Sequence, residues 1–315
     1  MKITMDDAAQ MLRDAQTVIL TSHIRPDGDA IGSTLGLMHV LRAEGKDVRV
    51  LIDDEIPRIF NVLPDVDQIE RPVKGQRYTA DLLVVCDVEL GRTGESVPSV
   101  DAVRLLNIDH HVTNDEKADY LYLDPDAAAT CEIAYDITRT LGVTPTLDAA
   151  ICFYTGIAMD TGFFRFSNTT PHTMRAAADL IEIGVKPNII SVAMEMKSYD
   201  EVMAQVKAIR NLEMFFDGRV AAVFIDEERA RTVTTTEGLL DKLRVIEGTQ
   251  VVFFMKWLEK DTYRISMRSK GTNVSRIAQK FDGGGHIRAA GCTLHAPFAE
   301  ARTAILDAIG EELNA

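Results

Sequence analysis

Short runs of apolar and β-branched residues alternate with helical periodicity through roughly the first 190 residues of the chain. Four of these runs predict strands: 17–22, 48–52, 82–86 and 103–108. Apolar residues at helical spacing predict helices over 30–43, 130–141, 148–159 and 173–183. Strands that are apolar on both faces and separated by helices are typical of a parallel sheet covered on both sides. We therefore predict a doubly wound, parallel-sheet α/β domain over residues 1–186.

The pattern changes beyond this domain. Residues 187–216 read as helix and precede a region rich in strands, so we interpret them as a helical linker. Apolar runs at 251–258 and 262–268 predict a hairpin, because only three charged residues separate them. Together with an earlier strand, a short helix, a glycine run and a C-terminal helix, they indicate a smaller α+β domain over 217–315.

The charge of the chain limits its partners. Among 315 residues, 34 Lys and Arg stand against 48 Asp and Glu, which gives a formal charge of −14. Such a surface repels phosphate backbones at long range, so we expect no binding of long duplex nucleic acid over a broad basic face. Small anionic substrates remain compatible with this charge, because a basic patch or bound cations can reverse the field within one cleft.

The cysteines and the N-terminus indicate the compartment. The four cysteines are dispersed and form no CxxC pair: Cys86, Cys131, Cys152 and Cys292. Reduced thiols in a cytosolic protein are the simplest interpretation. Asp6 and Asp7 lie where a signal peptide would need a basic start, and no run approaches the roughly 18 apolar residues of a membrane span. We expect a cytoplasmic protein that has no membrane partner.

Acids and histidines follow the predicted strands. His23, Asp27 and Asp29 lie between the first strand and the next helix. The carboxyl ends of parallel strands face the ligand crevice, so these potential metal ligands lie where chemistry is expected. The alternative is a solvated, Asp-rich turn in which Asp29 is a helix N-cap.

Two further strands repeat the arrangement, which capping alone explains poorly. One ends on Asp87 and the next on Asp109, His110 and His111, while Asp160 ends an apolar helical run. Crowded, buried carboxylates are costly unless cations neutralise them. Six side chains are too many for one open catalytic ion and suit two ions with a bridging carboxylate: His23, Asp27, Asp29, Asp87, His110 and Asp160. His and carboxylate ligands without cysteine favour Mn²⁺, with Co²⁺, Mg²⁺, Zn²⁺ or Fe²⁺ as substitutes.

Four stretches, SHIRPDGDAIGS, VVCD, IDHH and DTGFFRFSNTTP, occur in this order in the first domain. In them the chain resembles the DHH phosphoesterases, which include RecJ-type exonucleases, family II pyrophosphatases, cyclic di-AMP hydrolases and nanoRNases. The resemblance implies a DHH catalytic domain with two Mn²⁺ ions. It implies that the first ion is held by His23, Asp27 and Asp87. It implies that the second is held by Asp29, Asp87, His110 and Asp160, with Asp87 as the bridge.

The same resemblance implies roles for the two remaining residues of the IDHH stretch. His111 would face the substrate phosphate, either as a donor to a non-bridging oxygen or as the proton source for the leaving oxygen. Asp109 would orient the adjacent imidazoles. A strand-end acid bonded to nearby backbone is the plain alternative for Asp109, and it is compatible with that role.

Residues 256–288 are the one stretch whose charge suits nucleic acid, with eight basic residues against three acidic ones. A solvated charged face is the plain alternative. The run FDGGGHIRAAG lies beyond the hairpin, and successive glycines can form an anion nest. This combination resembles the DHHA1 domain, which grips the terminal nucleotide of the substrate in that family. The resemblance implies substrate contacts or loop-shaping roles for Arg268, Ser269, Gly284, Gly285 and His286.

The two domains without further segments resemble the nanoRNase branch, whose members also dephosphorylate 3′-phosphoadenosine 5′-phosphate (pAp). We therefore predict Mn²⁺-dependent hydrolysis of RNA of two to five nucleotides to 5′-mononucleotides, with pAp as a second substrate and a homodimer as a possible assembly. The first alternative is turnover of linear or cyclic dinucleotide messengers such as pApA and pGpG. The second is a catalytically silent RNA-binding module, against which the presence of all six ligands argues.

Overall fold

A computed structural model describes residues 1–233, 236 and 238–314 of the chain. The chain divides into two compact units, Met1–Met196 and Lys197–Ala315. The division falls within the stretch that the sequence predicts to be a linker. None of the helices among the described residues has the length and apolarity that crossing a membrane requires.

The first unit is built on a parallel sheet. Its strands are β1 (Thr17–Thr21), β2 (Asp47–Leu51), β3 (Tyr78–Cys86), β4 (Val100–Asp109) and β5 (Tyr120–Leu123). They lie in the order β2-β1-β3-β4-β5, and neighbouring strands are parallel. This confirms the predicted α/β fold. The order switches direction between β1 and β3, and such sheets bind ligands outside the carboxyl ends of the strands at the switch point.

Helices cover one face of this sheet. They are α1 (Met5–Asp14), α2 (Gly28–Ala43), α3 (Thr130–Thr140), α4 (Leu147–Asp160), α5 (Pro171–Ile183) and α6 (Pro187–Glu195). Leu20 and Val84 pack in one core with residues of α2 and α4. On the alternate positions, Ile19 and Val85 pack with Val88, in a smaller cluster that has no α-helical member among the described residues. The other face of the sheet is therefore covered by the segment between β3 and β4. A doubly wound fold would have a helix in this position.

Close packing of α2 on α4 fixes the start of α2. A Cβ at Gly32 would lie 2.5 Å from the Cys152 carbonyl oxygen, and one at Gly36 would overlap the Phe153 ring. Ile31 and Leu35 of the same helix are fully buried, and each such side chain stabilises the fold by about 1.5–3 kcal/mol. The loop between β1 and α2 is thus held on a rigid helix.

The second unit has a mixed sheet. Its strands are β6 (Leu212–Phe215), β7 (Val220–Ile225), β8 (Val251–Glu259), β9 (Thr262–Ser269), β10 (Gly284–His286) and β11 (Ala289–His295). Their order is β10-β11-β9-β8-β7-β6, and β7 and β8 are the parallel pair. The helices are α7 (Tyr199–Ile209), α8 (Glu227–Ala230), α9 (Leu239–Arg244), α10 (Val274–Gln279) and α11 (Phe298–Leu313). The predicted hairpin is confirmed as β8–β9.

The predicted linker is not one helix. It contains α6 and α7, and its last residues form β6, which pairs with β7. Ser198 and Glu201 form a capping box that starts α7 anew, so the helical pattern is interrupted between the two helices. Helical periodicity in the sequence could not separate these elements, because four residues of β6 are too few to show a strand period.

Candidate metal centre and nucleotide-binding face

The first predicted ligands lie between β1 and α2. Asp27 is the N-cap of α2, and its carboxylate accepts the N–H groups of Asp29 (3.0 Å) and Ala30 (3.1 Å). The alternative interpretation of this turn, in which Asp29 is the helix N-cap, is wrong in its residue: the cap is Asp27. Asp29 lies in the first turn of the helix and is only 1% exposed. His23, between β1 and this cap, is also buried.

Asp87, directly after β3, lies between two imidazoles. One of its oxygens is 3.7 Å from Nε2 of His23, and the other is 3.5 Å from Nε2 of His110. The Thr130 hydroxyl donates to the same carboxylate at 3.0 Å. Asp87 has a left-handed φ of 66°, which aspartate adopts more readily than most residues. Its carboxylate therefore lies between the two imidazoles, with one oxygen towards each.

Backbone carbonyls orient both imidazoles. Nδ1 of His23 lies 3.0 Å from the carbonyl oxygen of Ile24, and Nδ1 of His110 lies 3.2 Å from that of Ala127. A carbonyl oxygen only accepts hydrogen bonds, so each Nδ1 carries the proton. In the neutral rings Nε2 is then a free lone pair among carboxylates, which is the usual arrangement of a histidine that binds a metal.

The six predicted ligands form what we call the metal-ligand cluster: His23, Asp27, Asp29, Asp87, His110 and Asp160. Two groups within it each place their donor atoms within 4.8 Å of one another, namely His23 with Asp27 and Asp87, and Asp29 with His110 and Asp160. Nε2 of His110 is 3.4 Å from Asp160, the last residue of α4. A third group consists of Asp87, His110 and His111. The His111 nitrogen near Asp87 is Nδ1, at 3.7 Å, but it donates to Asp109 and has no lone pair to offer.

The electrostatics of the cluster favour cations. Burial and repulsion from Asp29 raise the pKa of Asp87 well above its ordinary value. Burial, with repulsion from Asp29 and Asp27, raises the pKa of Asp160 to about 8. Burial lowers the pKa of His23, but the carboxylates of Asp27 and Asp87 outweigh it and raise the pKa to about 10. Without cations the cluster therefore retains protons, and divalent ions would replace them as the compensating positive charge.

Asp109 orients His111, whose ring lies beside that of His110 with a centroid distance of 4.5 Å. The fully buried Asp109 carboxylate accepts Nδ1–H of His111 at 2.8 Å and the backbone N–H of His110 at 2.8 Å. Burial raises the pKa of Asp109, but its bonds with His111 and Asn114 outweigh this effect and leave the pKa below the ordinary value. The hydrogen bond to Asp109 in turn raises the pKa of His111. The result is an oriented imidazole with 36% of its side chain exposed.

Sequence reasoning missed the asparagines behind this pair. The Asn114 amide donates to Asp109 (2.6 Å) and to the side-chain oxygen of Asn107 (2.8 Å). The Asn107 amide donates to the carbonyls of Val85 and Val88 at 2.9 Å, on either side of the Asp87 turn. Asn107 is 1% exposed. A polar residue at a core position of a strand is the signal that could have identified it.

The start of α3 was also missed. Its first N–H groups, from Thr130 and Cys131, donate to the two Asp29 oxygens at 2.6 and 2.8 Å. The N-cap residue, Ala129, has no side chain that could cap the helix. A buried acid from another helix therefore satisfies these donors, and the positive end of the α3 dipole stabilises its charge. A predicted helix start without a capping residue was the available signal.

The second unit presents a different surface. The register aligns His286, Ala289 and Arg268 in one row across β10, β11 and β9. The next row on that face contains only small residues: Gly284, Gly291 and Ser266. All six are partly or fully exposed, and we call them the open face. Arg268 and His286 are two strands, or about 10 Å, apart, so they flank a floor of small residues.

Two of the predicted contacts lie elsewhere or differ in form. Ser269 is buried on the opposite side of β9, and its hydroxyl donates to the Thr272 carbonyl. The glycine run is not a loop, because Gly284 and Gly285 belong to β10. A Cβ at Gly285 would lie 2.5 Å from the Ala289 carbonyl oxygen. Gly285, whose φ of 137° favours glycine, therefore permits close pairing of β10 with β11.

Each of the two units matches a known protein domain. The DHH family, N-terminal domain, matches residues 17–157, and the DHHA1 domain matches residues 217–315. The "Bifunctional oligoribonuclease and PAP phosphatase NrnA" of Thermus thermophilus is 35% identical over 301 residues, which cover 94% of this chain and 90% of that protein. The protein of the same name from Bacillus subtilis is 29% identical, over 89% of this chain and 90% of its own length.

A solved structure shows the same fold. The exopolyphosphatase-related protein from Bacteroides fragilis matches with a TM-score of 0.88 and 23% sequence identity, over 98% of this chain and 95% of that one. At this identity the match establishes the fold only. With the two domain matches and the 35% identical relative, the chain belongs to the DHH family and carries a DHHA1 domain.

Proposed function

We propose that the protein is a Mn²⁺-dependent phosphodiesterase that hydrolyses very short RNA and linear dinucleotides to 5′-mononucleotides, and that it also dephosphorylates pAp. The observation that carries the proposal is the metal-ligand cluster, in which Asp87 lies between two groups of His and Asp donors. The relatives named as oligoribonuclease and PAP phosphatase, similar over about nine tenths of their length, support the substrate class.

The donor set fits two divalent cations. His23, Asp27 and Asp87 would hold one ion, and Asp29, His110 and Asp160 would hold the other with Asp87 shared between them. When bound, such ions act as Lewis acids that activate water and neutralise charge on the phosphoryl group. Nitrogen and oxygen ligands without sulfur favour Mn²⁺, with Co²⁺, Mg²⁺, Zn²⁺ or Fe²⁺ as substitutes.

His111 supplies the proton chemistry in this proposal. Its Nδ1–H is fixed by Asp109, so Nε2 is the ring nitrogen available to a substrate, and it carries a proton when the ring is protonated. The hydrogen bond to Asp109 raises the pKa of His111, which favours the protonated ring. The imidazolium donates a hydrogen bond to a phosphate oxygen and transfers its proton to the leaving oxygen. Asp109 is a positioning residue that holds the ring and stabilises its charge.

The open face binds the nucleotide in this proposal. Arg268 offers a guanidinium for phosphate, and the exposed His286 offers a ring on which a base can stack. The small residues between them leave room for a flat base or a ribose. A site of this size suits a short chain, which agrees with the acidic charge of the rest of the protein. Ser269, whose hydroxyl is bonded to the Thr272 carbonyl, and the two glycines of β10 do not contact the substrate in this proposal.

A substrate panel tests the proposal. The full chain with Mn²⁺ is incubated with pApA, pGpG, a five-nucleotide RNA, pAp, cyclic di-AMP, pyrophosphate and a long RNA duplex, and phosphate and nucleotide products are quantified. We expect turnover of the linear dinucleotides, the short RNA and pAp, and none of the duplex. Preferential turnover of cyclic di-AMP would favour the messenger alternative, and no turnover of any substrate would favour the silent RNA-binding module.

The cysteines bear on the compartment of the enzyme. The four cysteines are free and buried, which suits a reducing compartment, and we propose a cytoplasmic location. We also propose a homodimer, which size-exclusion chromatography with light scattering would distinguish from a monomer of 34.8 kDa.

A further inference from the structure

The stretch that leads from β5 into the first turn of α3 contacts several members of the metal-ligand cluster. Residues 127–131, the last two of which begin α3, are called the 127–131 segment. Its Ala127 carbonyl accepts Nδ1–H of His110, and its last two N–H groups donate to Asp29. The Ala128 carbonyl accepts the amide of Asn168 at 3.0 Å, and the same amide donates to the Asp160 carbonyl at 3.2 Å. With the Thr130 hydroxyl on Asp87, the segment reaches four of the six proposed ligands.

Glu132 holds this segment in place. Its Oε2 accepts the backbone N–H of Ala128 at 2.7 Å, and the Thr173 hydroxyl of α5 lies 3.2–3.3 Å from both of its oxygens. Its Oε1 also lies 3.7 Å from Nε2 of His172. Glu132 is only 2% exposed. Burying a carboxylate is unfavourable unless hydrogen bonds compensate for the lost hydration, so these bonds hold Glu132 to both the segment and α5.

We propose that Glu132 is a positioning residue of the metal centre, which fixes the 127–131 segment against α5 and thereby sets the geometry of His110, Asp29 and Asp87. The proposal rests on the proposed function, since it concerns the ligands of that centre. Loss of the carboxylate would leave the buried Ala128 N–H unpaired, and the segment would shift to satisfy it. Metal ligands need to be held within about 0.5 Å, so a small shift weakens binding.

Two substitutions of Glu132 separate positioning from mere stability. Glu132→Gln keeps a carbonyl oxygen for the Ala128 N–H and an amide for the Thr173 hydroxyl, whereas Glu132→Leu offers neither. Ile137→Ala is the matched control, because Ile137 is fully buried in the same helix and its apolar side chain takes part in none of the hydrogen bonds that join Glu132, the segment and the ligands. It lowers the thermal midpoint without removing any of the hydrogen bonds described above.

The measurement is the Mn²⁺ dissociation constant of the chelator-treated full chain, by titration with electron paramagnetic resonance, together with the thermal midpoint. We expect Glu132→Leu to raise this constant by about 10- to 100-fold, Glu132→Gln to restore it to within about threefold of wild type, and Ile137→Ala to leave it unchanged. The KM for pApA, measured at saturating Mn²⁺, should stay constant in all three.

The outcomes distinguish the two proposals. Absence of Mn²⁺ binding by the wild type would overturn the proposed function and this inference together. Binding by the wild type with the same constant in Glu132→Leu would overturn this inference alone, and so would equal impairment of the Leu and Gln variants. If Glu132→Leu does not fold, Thr173→Val removes the hydroxyl that joins Glu132 to α5, and an unchanged Mn²⁺ constant in that variant would also overturn it.

Discussion

The metal-ligand cluster and the open face are both formed at sheets, but their residues differ in burial and in charge. In the cluster, Asp29 and Asp87 are almost completely buried, and each accepts hydrogen bonds from α3. On the open face, His286 is exposed and Arg268 is half-buried, with small residues between them. The cluster therefore places carboxylates in a buried position, where their charge is unfavourable without cations. The open face places small residues beside the guanidinium of Arg268 and leaves room for a ligand.

This difference predicts different kinetic effects. A buried ligand that is needed for the ions acts on the chemical step, so its loss lowers kcat. An exposed contact to a distant part of the substrate contributes binding in the ground state and the transition state alike, so its loss raises KM. The following substitutions test this division, in order of decreasing effect.

The largest effect is expected for Asp87→Asn. Asparagine tolerates the left-handed φ and can still accept from Thr130, but it removes the bridging charge. We expect kcat for pApA to fall by more than about 1,000-fold, which corresponds to about 4 kcal/mol of transition-state stabilisation. Asp65→Asn, at an aspartate with a similar φ of 55° outside the cluster, is the control and should leave kcat unchanged. Wild-type turnover by Asp87→Asn would contradict the bridging role.

A smaller loss is expected for His111→Asn. The variant keeps a polar side chain near Asp109 but has no group that can transfer a proton at neutral pH, so we expect kcat to fall by about 100-fold. The Mn²⁺ dissociation constant should stay within about threefold of wild type, because His111 is not among the proposed ligands. Titration of Mn²⁺ beside steady-state kinetics checks both. A parallel loss of Mn²⁺ binding would instead make His111 a ligand.

The pH dependence of Mn²⁺ binding tests the crowding of acids in the cluster. With a pKa of about 8, Asp160 is protonated at pH 6 in the metal-free protein, and Mn²⁺ must displace that proton. Asp160 alone should therefore contribute a rise in affinity of up to about tenfold per pH unit below pH 8, in addition to the protons that Mn²⁺ displaces from His23 and Asp87. Calorimetric titration at several pH values gives the slope, and Asp160→Asn should reduce it. A pH-independent affinity would contradict the raised pKa.

The same shift has a consequence for stability. An acid whose pKa is raised on folding stabilises the folded state below its ordinary pKa of 3.8, and this contribution is lost as pH rises towards 8. The metal-free chain should therefore lose part of its free energy of unfolding between pH 4 and pH 8. Added Mn²⁺ should restore it most strongly at the upper end of that range.

The smallest kinetic effect is expected on the open face. His286→Ala removes the ring beside the small-residue floor, and we expect KM for pApA to rise by about tenfold, since stacking of one base contributes about 1–3 kcal/mol. The kcat should not change. His295→Ala is the matched control, because His295 lies on the adjacent strand β11 and bonds to Thr262 outside the open face. A fall in kcat without a rise in KM would break the division between the two regions.

The sequence was most informative about the metal-ligand cluster, where burial of charged side chains is unfavourable. Three strands that are each followed by Asp or His pointed to five of the six proposed ligands, because such side chains have few structural uses at one sheet edge. The sixth, Asp160, came from the end of an apolar helix. The open face was harder to predict, since it depends on which residues share a row across β10, β11 and β9. Ser269 is next to Arg268 in sequence and yet faces the opposite side, which only the strand assignment reveals.

The supporting residues could not be predicted for a related reason. Glu132, Asn107 and Asn114 act through hydrogen bonds to backbone groups that are distant in sequence or lie in other elements. Their side chains carry no motif, and their partners are fixed only when the sheet and α3 come together. Likewise, four residues of β6 gave too short a period to be separated from the helix before it.

The central claim is tested most directly by titrating Mn²⁺ into the chelator-treated full chain while hydrolysis of pApA to 5′-AMP and bound Mn²⁺ are measured in the same samples. The two-ion account predicts no turnover without metal, a rise in turnover as the cluster fills, and a maximum at two bound ions per chain. Turnover in the absence of metal, or maximal turnover with a single bound ion, would contradict it.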